Sequence, residues 1–334
     1  MPDPIEVAVI IVNYRSAELT LRALASLAEE RKKVELSLHV VVVENASGDE
    51  SQLREGIVPF SDFARLLVSP TNGGFGAGNN LGLRTLFGEG STARYFHFLN
   101  PDTVARDGAV LELVRFLEAR PAAGAAGSMF EHEDGTPWPV AFRFPSPLGE
   151  LESGACIGLV TKLLKRHMVP LHLGDEPAEV DWLSGASMMF RREVLERIGG
   201  FDEAYFLYFE ETDLCLRTKA AGWQVWYVPQ SRVMHVRGQS TGVTALGGKP
   251  RPLPRYWFQS RRRYFYKNHG LAYAAAAELA FIAGNSIGTL RHTLERHPRT
   301  PRLLRDFVSE SLLFSRNREV EPERSALIGV RTGA

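Results

Sequence analysis

The stretch VAVIIVNY, from Val7 to Tyr14, decides the fold class. Its first six residues are apolar and five of them are β-branched, a pattern typical of a parallel strand that is covered on both faces. A helical pattern follows at once in SAELTLRALASLAEE, with Ser16 as the predicted N-cap. The chain therefore opens with a predicted strand and helix.

The same alternation continues along the front half of the chain. We predict strands in LHVVVVENAS, ARLLVSP, RYFHFLNPDT and AGAAGSMF, and helices over 79–87 and in DGAVLELVRFLEAR. Strands that alternate with helices predict a doubly wound α/β fold with a mostly parallel sheet.

The second half is less regular. Prolines at 137, 139, 145, 147, 170 and 177 predict a long irregular excursion over 136–179. Helices over 191–198 and 211–221 and two strands, in WQVWYVP and RVMHV, are predicted next. The remaining residues are predicted to be mainly helical.

Charge is unevenly distributed along a chain of 334 residues whose formal net charge is zero. From Arg251 onward there are 15 Lys and Arg against 7 Asp and Glu, so this part carries +8 and the first 250 residues carry −8. A basic end suits either an anionic surface such as lipid headgroups or an ordinary solvated helix, and both interpretations stay open. A chain without net positive charge gives no indication of a nucleic-acid partner.

The sequence also indicates a compartment. The two cysteines, Cys156 and Cys215, have neither metal-ligand spacing nor the number for a disulfide framework, which suits a reducing cytoplasm. The N-terminus lacks the basic region of a signal peptide. The apolar run over 271–290 contains Glu278 and Asn285, so it predicts a buried or interfacial helix more than a membrane span.

Polar residues follow several predicted strands at the point where each strand ends. They are Asn13-Tyr14-Arg15, Glu44-Asn45-Ala46-Ser47 and Asn100-Pro101-Asp102, and the glycine-rich NGGFGAGNN of residues 72–80 follows another strand. Ligands of open α/β sheets bind beyond the carboxyl ends of the strands. We therefore expect these segments to meet at one edge.

The glycine-rich segment indicates a phosphate or sugar close to bare backbone, or else a turn that needs positive φ. The dinucleotide fingerprint is missing, because no glycine follows the first strand and the later glycines have another spacing. The Walker A pattern is missing too. A nucleotidyltransferase, which would need a basic glycine-rich loop after the first strand, is disfavoured for the same reason.

Two acidic sites could carry chemistry. Asp102 could hold a divalent cation, because a cation on a diphosphate takes most of its ligands from phosphate and water. His235 could be a second ligand of that cation or a structural residue. Glu210, Glu211 and Asp213 crowd three carboxylates into four residues. Asp213 is expected to pair with Arg217 one turn later, which leaves Glu210 or Glu211 as a general base.

In this order the motifs resemble those of the family-2 glycosyltransferases with the GT-A fold. They are IIVNYRS, VVVENASGD, NGGFGAGNN, FLNPD, WLSGASMMFRREVLERIGGFDEAYFLYFEETDLCLR and HVRGQST, spread over residues 6–242, and RRRYFYKNHG adds to the likeness. The bacterial rhamnosyltransferases are the subgroup most similar in appearance. The resemblance implies a GT-A catalytic domain over 1–245, divided into a nucleotide-sugar half (1–130) and an acceptor half (131–245), and a basic helical C-terminal extension over 246–334.

The resemblance also implies a role for individual residues. Glu211, or its neighbour Glu210, corresponds to the catalytic base, and Asp102 and His235 to ligands of Mg²⁺ or Mn²⁺. Two departures from the family pattern are an Asn at position 100, where the metal motif has its first Asp, and a Glu at position 44, where the family reads the pyrimidine with Asp. The residues that correspond to nucleotide-sugar contacts are Asn13, Tyr14, Arg15, Glu44, Asn45, Ser47, Asp49, Asn72, Gly73, Gly74, Phe75, Asn79, Asn100 and Asp102. Those that correspond to the sugar and acceptor pocket are Trp182, Ser184 and Gly185.

The implied activity is a single displacement that inverts the anomeric carbon of a nucleotide-diphospho-sugar, dTDP-rhamnose in the first instance. The implied acceptor is a lipid-linked saccharide or a growing polysaccharide, met in the cytoplasm at the inner face of the plasma membrane. The segment RYWFQSRRRYFYKNHG would meet headgroups or pack on the catalytic domain. A UDP-sugar donor, or a non-catalytic nucleotide-sugar-binding protein of the same fold, is the alternative.

Overall fold

The computed structural model describes residues 5–33, 36–138, 141–235, 252–295 and 303–314. The strands are β1 (Ile5–Asn13), β2 (Leu36–Glu44), β3 (Ala64–Val68), β4 (Tyr95–Leu99), β5 (Thr103–Ala105), β6 (Ala123–Glu131), β7 (Pro137–Trp138), β8 (Ala141–Phe142), β9 (Ala178–Glu179), β10 (Trp182–Leu183), β11 (Ser187–Arg191) and β12 (Gln224–His235). The helices are α1 (Ala17–Glu30), α2 (Glu50–Gly56), α3 (Gly74–Gly88), α4 (Ala109–Ala119), α5 (Pro147–Ala155), α6 (Gly158–Leu163), α7 (Arg192–Ile198), α8 (Glu210–Ala220), α9 (Arg255–Glu295) and α10 (Leu303–Glu310).

One large sheet organises the molecule in the order β3-β2-β1-β4-β11-β6-β12-β5. The predicted α/β class is confirmed. Strands β3, β2, β1 and β4 are parallel, as their β-branched runs predict. Beyond β4 the sheet is mixed, because β11 runs antiparallel to both β4 and β6, whereas β12 is again parallel to β6.

The strand order places the polar strand ends at one edge. Asn13 lies opposite Glu44 in the register of β1 and β2, and Glu44 lies opposite Val68 of β3. On the other side of β1, β4 leads into Asn100. Because β12 is parallel to β6, and both run in the direction of β4, His235 at the end of β12 reaches the same edge.

The glycine-rich segment forms helix where a loop was predicted. Helix α3 begins at Gly74, five residues before the predicted start. A Cβ at Gly78 would lie 2.7 Å from Val12, and one at Gly82 would lie 2.8 Å from Ile10. These two glycines therefore let α3 pack closely on β1, which is a different role from the approach to a ligand that the sequence suggested.

The proline-rich excursion is more ordered than predicted. It contains α5, whose N-cap Ser146 accepts a hydrogen bond from the Gly149 backbone and whose first residue is Pro147, and it also contains α6. Ser and Pro at these two positions favour a helix start. The prolines thus mark a helix boundary as well as irregular chain.

Helix α9 packs against the preceding part of the chain. It is interrupted at Gly270, whose φ of 78° is not helical. Arg261 and Arg263 are almost fully buried, and they pair with Glu150 and Asp202 respectively. The basic segment therefore packs on the rest of the protein. The prediction that these two arginines contact lipid headgroups is wrong, because both are buried in ion pairs.

Helix α9 is also the one helix among the described residues with the length and apolarity of a membrane span. Buried helices of soluble proteins share both properties. The predicted domain boundary between residues 245 and 246 and most of the motif HVRGQST lie outside the described residues.

Candidate active site

The loop after β1 is held by an acidic residue from the next loop. Oδ2 of Asp49 accepts hydrogen bonds from the backbone of Ser16 (2.8 Å) and Ala17 (3.2 Å), at the start of α1, and from Nδ2 of Asn13 (2.9 Å). Ser16 is the N-cap residue, but its side chain bonds Asn13 rather than the helix. Asn13 is fully buried, so its observed contacts shape the loop, and a contact with the nucleotide stays a prediction.

Glu44 turns its carboxylate into its own loop. Oε1 accepts from the backbone and hydroxyl of Ser47 (2.6 and 2.5 Å), and Oε2 accepts from the Ala46 backbone (3.0 Å). Each carboxylate oxygen offers about two acceptor positions, so Oε2 keeps one position open. Glu44 can therefore order the loop and still accept one hydrogen bond from an N–H group of a nucleobase.

The other predicted nucleotide residues of these loops lie nearby. Arg15 is exposed with a φ of 53°, and its guanidinium lies over the Tyr14 ring at 5.3 Å. Asn79 is buried in α3, donates to the Phe75 carbonyl at 3.0 Å, and leaves its own Oδ1 without a hydrogen-bond donor.

The start of α3 is tied to two other loops. Nδ2 of Asn45 donates to Oδ1 of Asn72 (3.0 Å) and to the Gly74 carbonyl (3.1 Å). The backbone N–H of Phe75 donates to the Phe206 carbonyl at 3.2 Å. Gly73 lies between these contacts, so the glycine-rich segment joins the loop after β2 to the segment that precedes α8.

Gly74 cannot accept a side chain without a change in the backbone. Its φ is +88°, and an added Cβ would lie 1.8 Å from the Phe206 carbonyl oxygen. We expect Gly74→Ala to destabilise the protein by at least about 1 kcal/mol, since both strain and overlap must be relieved. Urea unfolding of this variant beside Gly88→Ala, where an added Cβ meets nothing within 4 Å, measures it. Equal midpoints would contradict the proposed close contact.

Asp102 and His235 meet at the end of the sheet. Asp102 is 3% exposed, and its Oδ1 lies 3.2 Å from Nε2 of His235. The pairing of β12 with β5, which sets His235 opposite Thr103, produces this contact. Neither Oδ1 of Asp102 nor Nδ1 of His235 has a well-aligned hydrogen bond. Oδ1 of Asp102 and Nε2 of His235 therefore face each other, while Nδ1 points away on the other side of the ring.

An aromatic residue that the sequence analysis missed orients the His235 ring. The Trp138 indole stacks on that ring with centroids 5.5 Å apart and on His132 at 5.7 Å, and Phe130 meets the His235 ring edge-on. The proline-rich surroundings of Trp138 gave no periodic signal from which this contact could be predicted.

Glu210 and Glu211 form an acidic pair at the start of α8. Each has a buried Oε2 without a hydrogen-bond partner. Burial and the neighbouring Glu211 carboxylate raise the pKa of Glu210 well above its ordinary value, and burial also raises the pKa of Glu211. Two adjacent buried carboxyl groups resist double ionisation, so the pair is suited to taking up a proton near neutral pH.

The backbone before this pair is strained. Tyr208 and Phe209 both have positive φ, 69° and 67°, which bulky residues rarely adopt. Such strain costs about 1–3 kcal/mol for each residue and is found chiefly at functional sites. It directs α8 so that the acidic pair begins the helix. Nothing in the sequence predicts positive φ at two aromatic residues.

A chain of contacts connects the acidic pair with the Asp102 loop. The Asn100 backbone donates to the Ala186 carbonyl at 2.9 Å. A Cβ on the adjacent Gly185 would lie 3.1 Å from the Phe75 ring and 3.8 Å from Cβ of Glu211. The loop at 184–186 therefore contacts three parts of the site: the segment that leads from Asn100 to Asp102, the glycine-rich segment, and Glu211.

Of the other two predicted pocket residues, Ser184 lies in this loop and Trp182 lies just before it. The Trp182 indole donates to the Arg143 carbonyl at 2.8 Å and stacks on Phe142 with centroids 4.2 Å apart. Ser184 is half-buried, and its hydroxyl lies 3.4 Å from the Ala186 backbone N–H. Their role in binding sugar or acceptor stays a prediction.

A buried charge network supports α8 from behind. The predicted pair of Asp213 and Arg217 is present at 2.8 Å. Lys267 of α9 lies 3.1 Å from Asp213 and 3.0 Å from Asp202. Burial would raise the pKa of Asp213, but Arg217 and Lys267 outweigh it and hold that pKa below the ordinary range. Helix α9 is therefore part of the support of the site.

Comparison with known proteins identifies the family of the chain. A family model described as "Glycosyltransferase like family 2" matches residues 2–247. The N-acetylglucosaminyl-diphospho-decaprenol L-rhamnosyltransferase of Mycobacterium tuberculosis is 31% identical over 245 residues, which cover 70% of this chain and 77% of the relative. The rhamnosyltransferase WbbL of Escherichia coli is 29% identical over 164 residues, 48% of this chain and 60% of the relative.

Solved structures share the fold. A Pyrobaculum calidifontis mannosyltransferase in complex with GDP-Man and Mn²⁺ has a TM-score of 0.53 at 17% identity, covering 90% of this chain and 77% of that one. GalNAc-T7 with UDP, GalNAc and Mn²⁺ has a TM-score of 0.57 at 15% identity, covering 93% and 56%. The family match spans more than half of the chain, so the protein belongs to the glycosyltransferase-like family 2 and is a glycosyltransferase with the GT-A fold.

Proposed function

We propose that the protein transfers L-rhamnose from dTDP-rhamnose to a lipid-linked saccharide in bacterial cell-envelope glycan synthesis, with inversion at the anomeric carbon. The observation that carries the proposal is the convergence of the Asp102–His235 pair, the glycine-rich segment and the Glu210–Glu211 pair around the 184–186 loop. The rhamnosyltransferases of M. tuberculosis and E. coli support the choice of sugar, and the decaprenol in the former's name supports a lipid-linked acceptor.

The proposal includes a divalent cation, Mg²⁺ or Mn²⁺, held by Asp102 and His235. Their facing atoms are 3.2 Å apart, close to the separation of about 3 Å expected for neighbouring ligands on one such cation. Within the described residues no group of three or more His, Cys, Asp or Glu is placed to hold a metal, so the diphosphate and water would complete the shell. When bound, the cation would neutralise charge on the leaving diphosphate.

The protein's own residues perform the proton transfer. As the acceptor hydroxyl oxygen bonds to the anomeric carbon, the bond from that carbon to the diphosphate breaks and Glu211 takes the hydroxyl proton. Glu210 lies beside it, and the interaction between the two side chains raises the pKa of Glu210 and lowers that of Glu211. One displacement inverts the configuration.

The donor can be identified by thermal shift. We expect dTDP-rhamnose with Mn²⁺ to raise the melting temperature, since a ligand at a hundred times its Kd adds about 2.7 kcal/mol to the free energy of unfolding. EDTA should abolish the shift. UDP-glucose and UDP-N-acetylglucosamine are the matched alternatives. A shift with a UDP-sugar alone would assign a different donor to the same site.

The rate should fall toward acid pH at a pH above that of an ordinary glutamate. Burial raises the pKa of Glu211 from 4.5, so the carboxylate base predominates only above that raised pKa and is protonated below it. The measurement is kcat/KM against pH, with circular dichroism at each pH to show that the fold persists. A rate that stays constant down to pH 4.5 would rule out a buried carboxylate as the base.

A further inference from the structure

Helix α6 presents apolar side chains to solvent. Leu159 is 67% exposed and Leu163, one turn later, is 74% exposed. The exposed side chains around them are cationic: Lys162 on α6, and Lys165 and Arg166 in the turn that follows. None of these three cations forms a salt bridge with any other residue that the structure describes. Exposed leucines framed by unpaired cations need an explanation.

The second half of α9 adds an uncharged strip. From residue 271 to residue 290 no outward-facing residue is charged. The exposed residues are Leu271, Ala272, Ala276, Leu279, Ala283, Ser286, Ile287, Thr289 and Leu290. The one acidic residue in this stretch, Glu278, turns inward to Ser311 and the Leu312 backbone. Twenty helical residues extend about 30 Å, so the strip is long.

The two surfaces adjoin each other. Helix α5 crosses α9 so closely that a Cβ on Gly284 would lie 2.6 Å from the Leu151 carbonyl. Farther along, the Arg291 side chain donates to the Cys156 carbonyl, two residues before α6 begins. Leu294, 76% exposed, lies just beyond that contact in sequence. We call α6 with its following turn and the exposed strip of α9 the apolar-basic face.

We propose that the apolar-basic face docks the enzyme on an anionic lipid bilayer, with its leucines in the interface and Lys162, Lys165 and Arg166 on the headgroups. The proposal rests on the lipid-linked acceptor proposed above and assigns the surface that meets its membrane. It replaces the segment RYWFQSRRRYFYKNHG, whose arginines at 261 and 263 are used inside the protein.

Charge decides between a bilayer and a second copy of the chain. A twofold contact with its axis near α6 would set the cationic clusters of the two copies close to one another, which opposes association. Anionic headgroups instead complement the cations, each worth about 1 kcal/mol near such a surface. Apolar insertion combined with a basic cluster is the pair of signals that stable peripheral binding requires.

The test is sedimentation of the full chain with phosphatidylcholine vesicles, with and without phosphatidylglycerol. The wild type should bind the anionic vesicles. Leu159→Glu with Leu163→Glu should weaken binding by about tenfold or more, because acidic side chains can neither insert nor meet the headgroups. The triple change to Gln at Lys162, Lys165 and Arg166 should remove the dependence on phosphatidylglycerol and salt. Val58→Glu, at a 64% exposed apolar residue outside this face, is the matched control.

The outcomes separate this proposal from the proposed function. Transfer to a water-soluble acceptor should be unchanged in all of these variants. If transfer is absent from the wild type while vesicle binding depends on the leucines, the proposed function fails and the docking surface stands. If all variants bind vesicles alike, or if light scattering shows a dimer that Leu159→Glu with Leu163→Glu dissolves, the docking surface is overturned.

Discussion

Glu211→Gln is expected to lower kcat by about 10²–10⁴-fold while donor binding stays close to that of the wild type. Gln keeps the size of the side chain and its place at the start of α8 but cannot take the acceptor proton. Because the change removes a buried group whose charged form is disfavoured, the variant should also be at least as stable as the wild type. The measurement is nucleoside diphosphate release in steady state, with calorimetry for the donor.

Glu210→Gln is the matched control, since it alters the adjacent carboxyl group in the same way. Because it leaves Glu211, the proposed base, in place, it should cause a much smaller loss of kcat. If Glu210→Gln proves inactive and Glu211→Gln turns over normally, the two assignments must be exchanged. Normal turnover by both variants would exclude the pair from proton transfer.

Asp213→Asn is expected to destabilise the fold by about 3–5 kcal/mol, because it leaves buried cations without their partner. Asp213 is fully buried and is held by Arg217, Lys267 and Asn268. Without its charge, Arg217 would keep only the carbonyls of Ile198 and Gly200, and Lys267 would share the Asp202 carboxylate with Arg263. Guanidinium unfolding monitored by circular dichroism gives the change in free energy.

An exposed ion pair provides the comparison. Asp62, whose side chain is 58% exposed, pairs with Arg31 at the surface, so Asp62→Asn should cost about 0–1 kcal/mol. The wild-type advantage over Asp213→Asn should also vanish in acid. The pKa of Asp213 is depressed in the folded state, so its stabilisation is present above the unfolded pKa and is lost as pH falls through the folded one. Equal costs for the two variants would contradict the buried network.

Local pattern was enough to predict the parallel half of the sheet. The β-branched runs of β1 and β2 specify buried strands by themselves, and parallel strands necessarily gather their carboxyl ends. The meeting of Asn13, Glu44 and Asn100 at one edge follows from that geometry. The Asp213–Arg217 pair follows from helical spacing alone.

What could not be predicted depends on contacts between distant segments. The glycines of α3 looked like a ligand loop because only the partner strand, with Val12 and Ile10, reveals that they serve helix packing. The arginines at 261–263 looked like a surface charge cluster because their partners Glu150 and Asp202 lie far away in sequence. Trp138 acquires its place only through the pairing of β6 with β7.

Binding of dTDP-rhamnose by calorimetry, with Mn²⁺ and with EDTA, tests most directly whether Asp102 and His235 hold a cation on the donor. We expect the wild type and Glu211→Gln to bind dTDP-rhamnose in Mn²⁺ and to lose most of that affinity in EDTA. We expect Asp102→Asn and His235→Ala to bind it at least about tenfold more weakly than the wild type in Mn²⁺. Equal affinity of all four proteins, with or without the metal, would contradict the account.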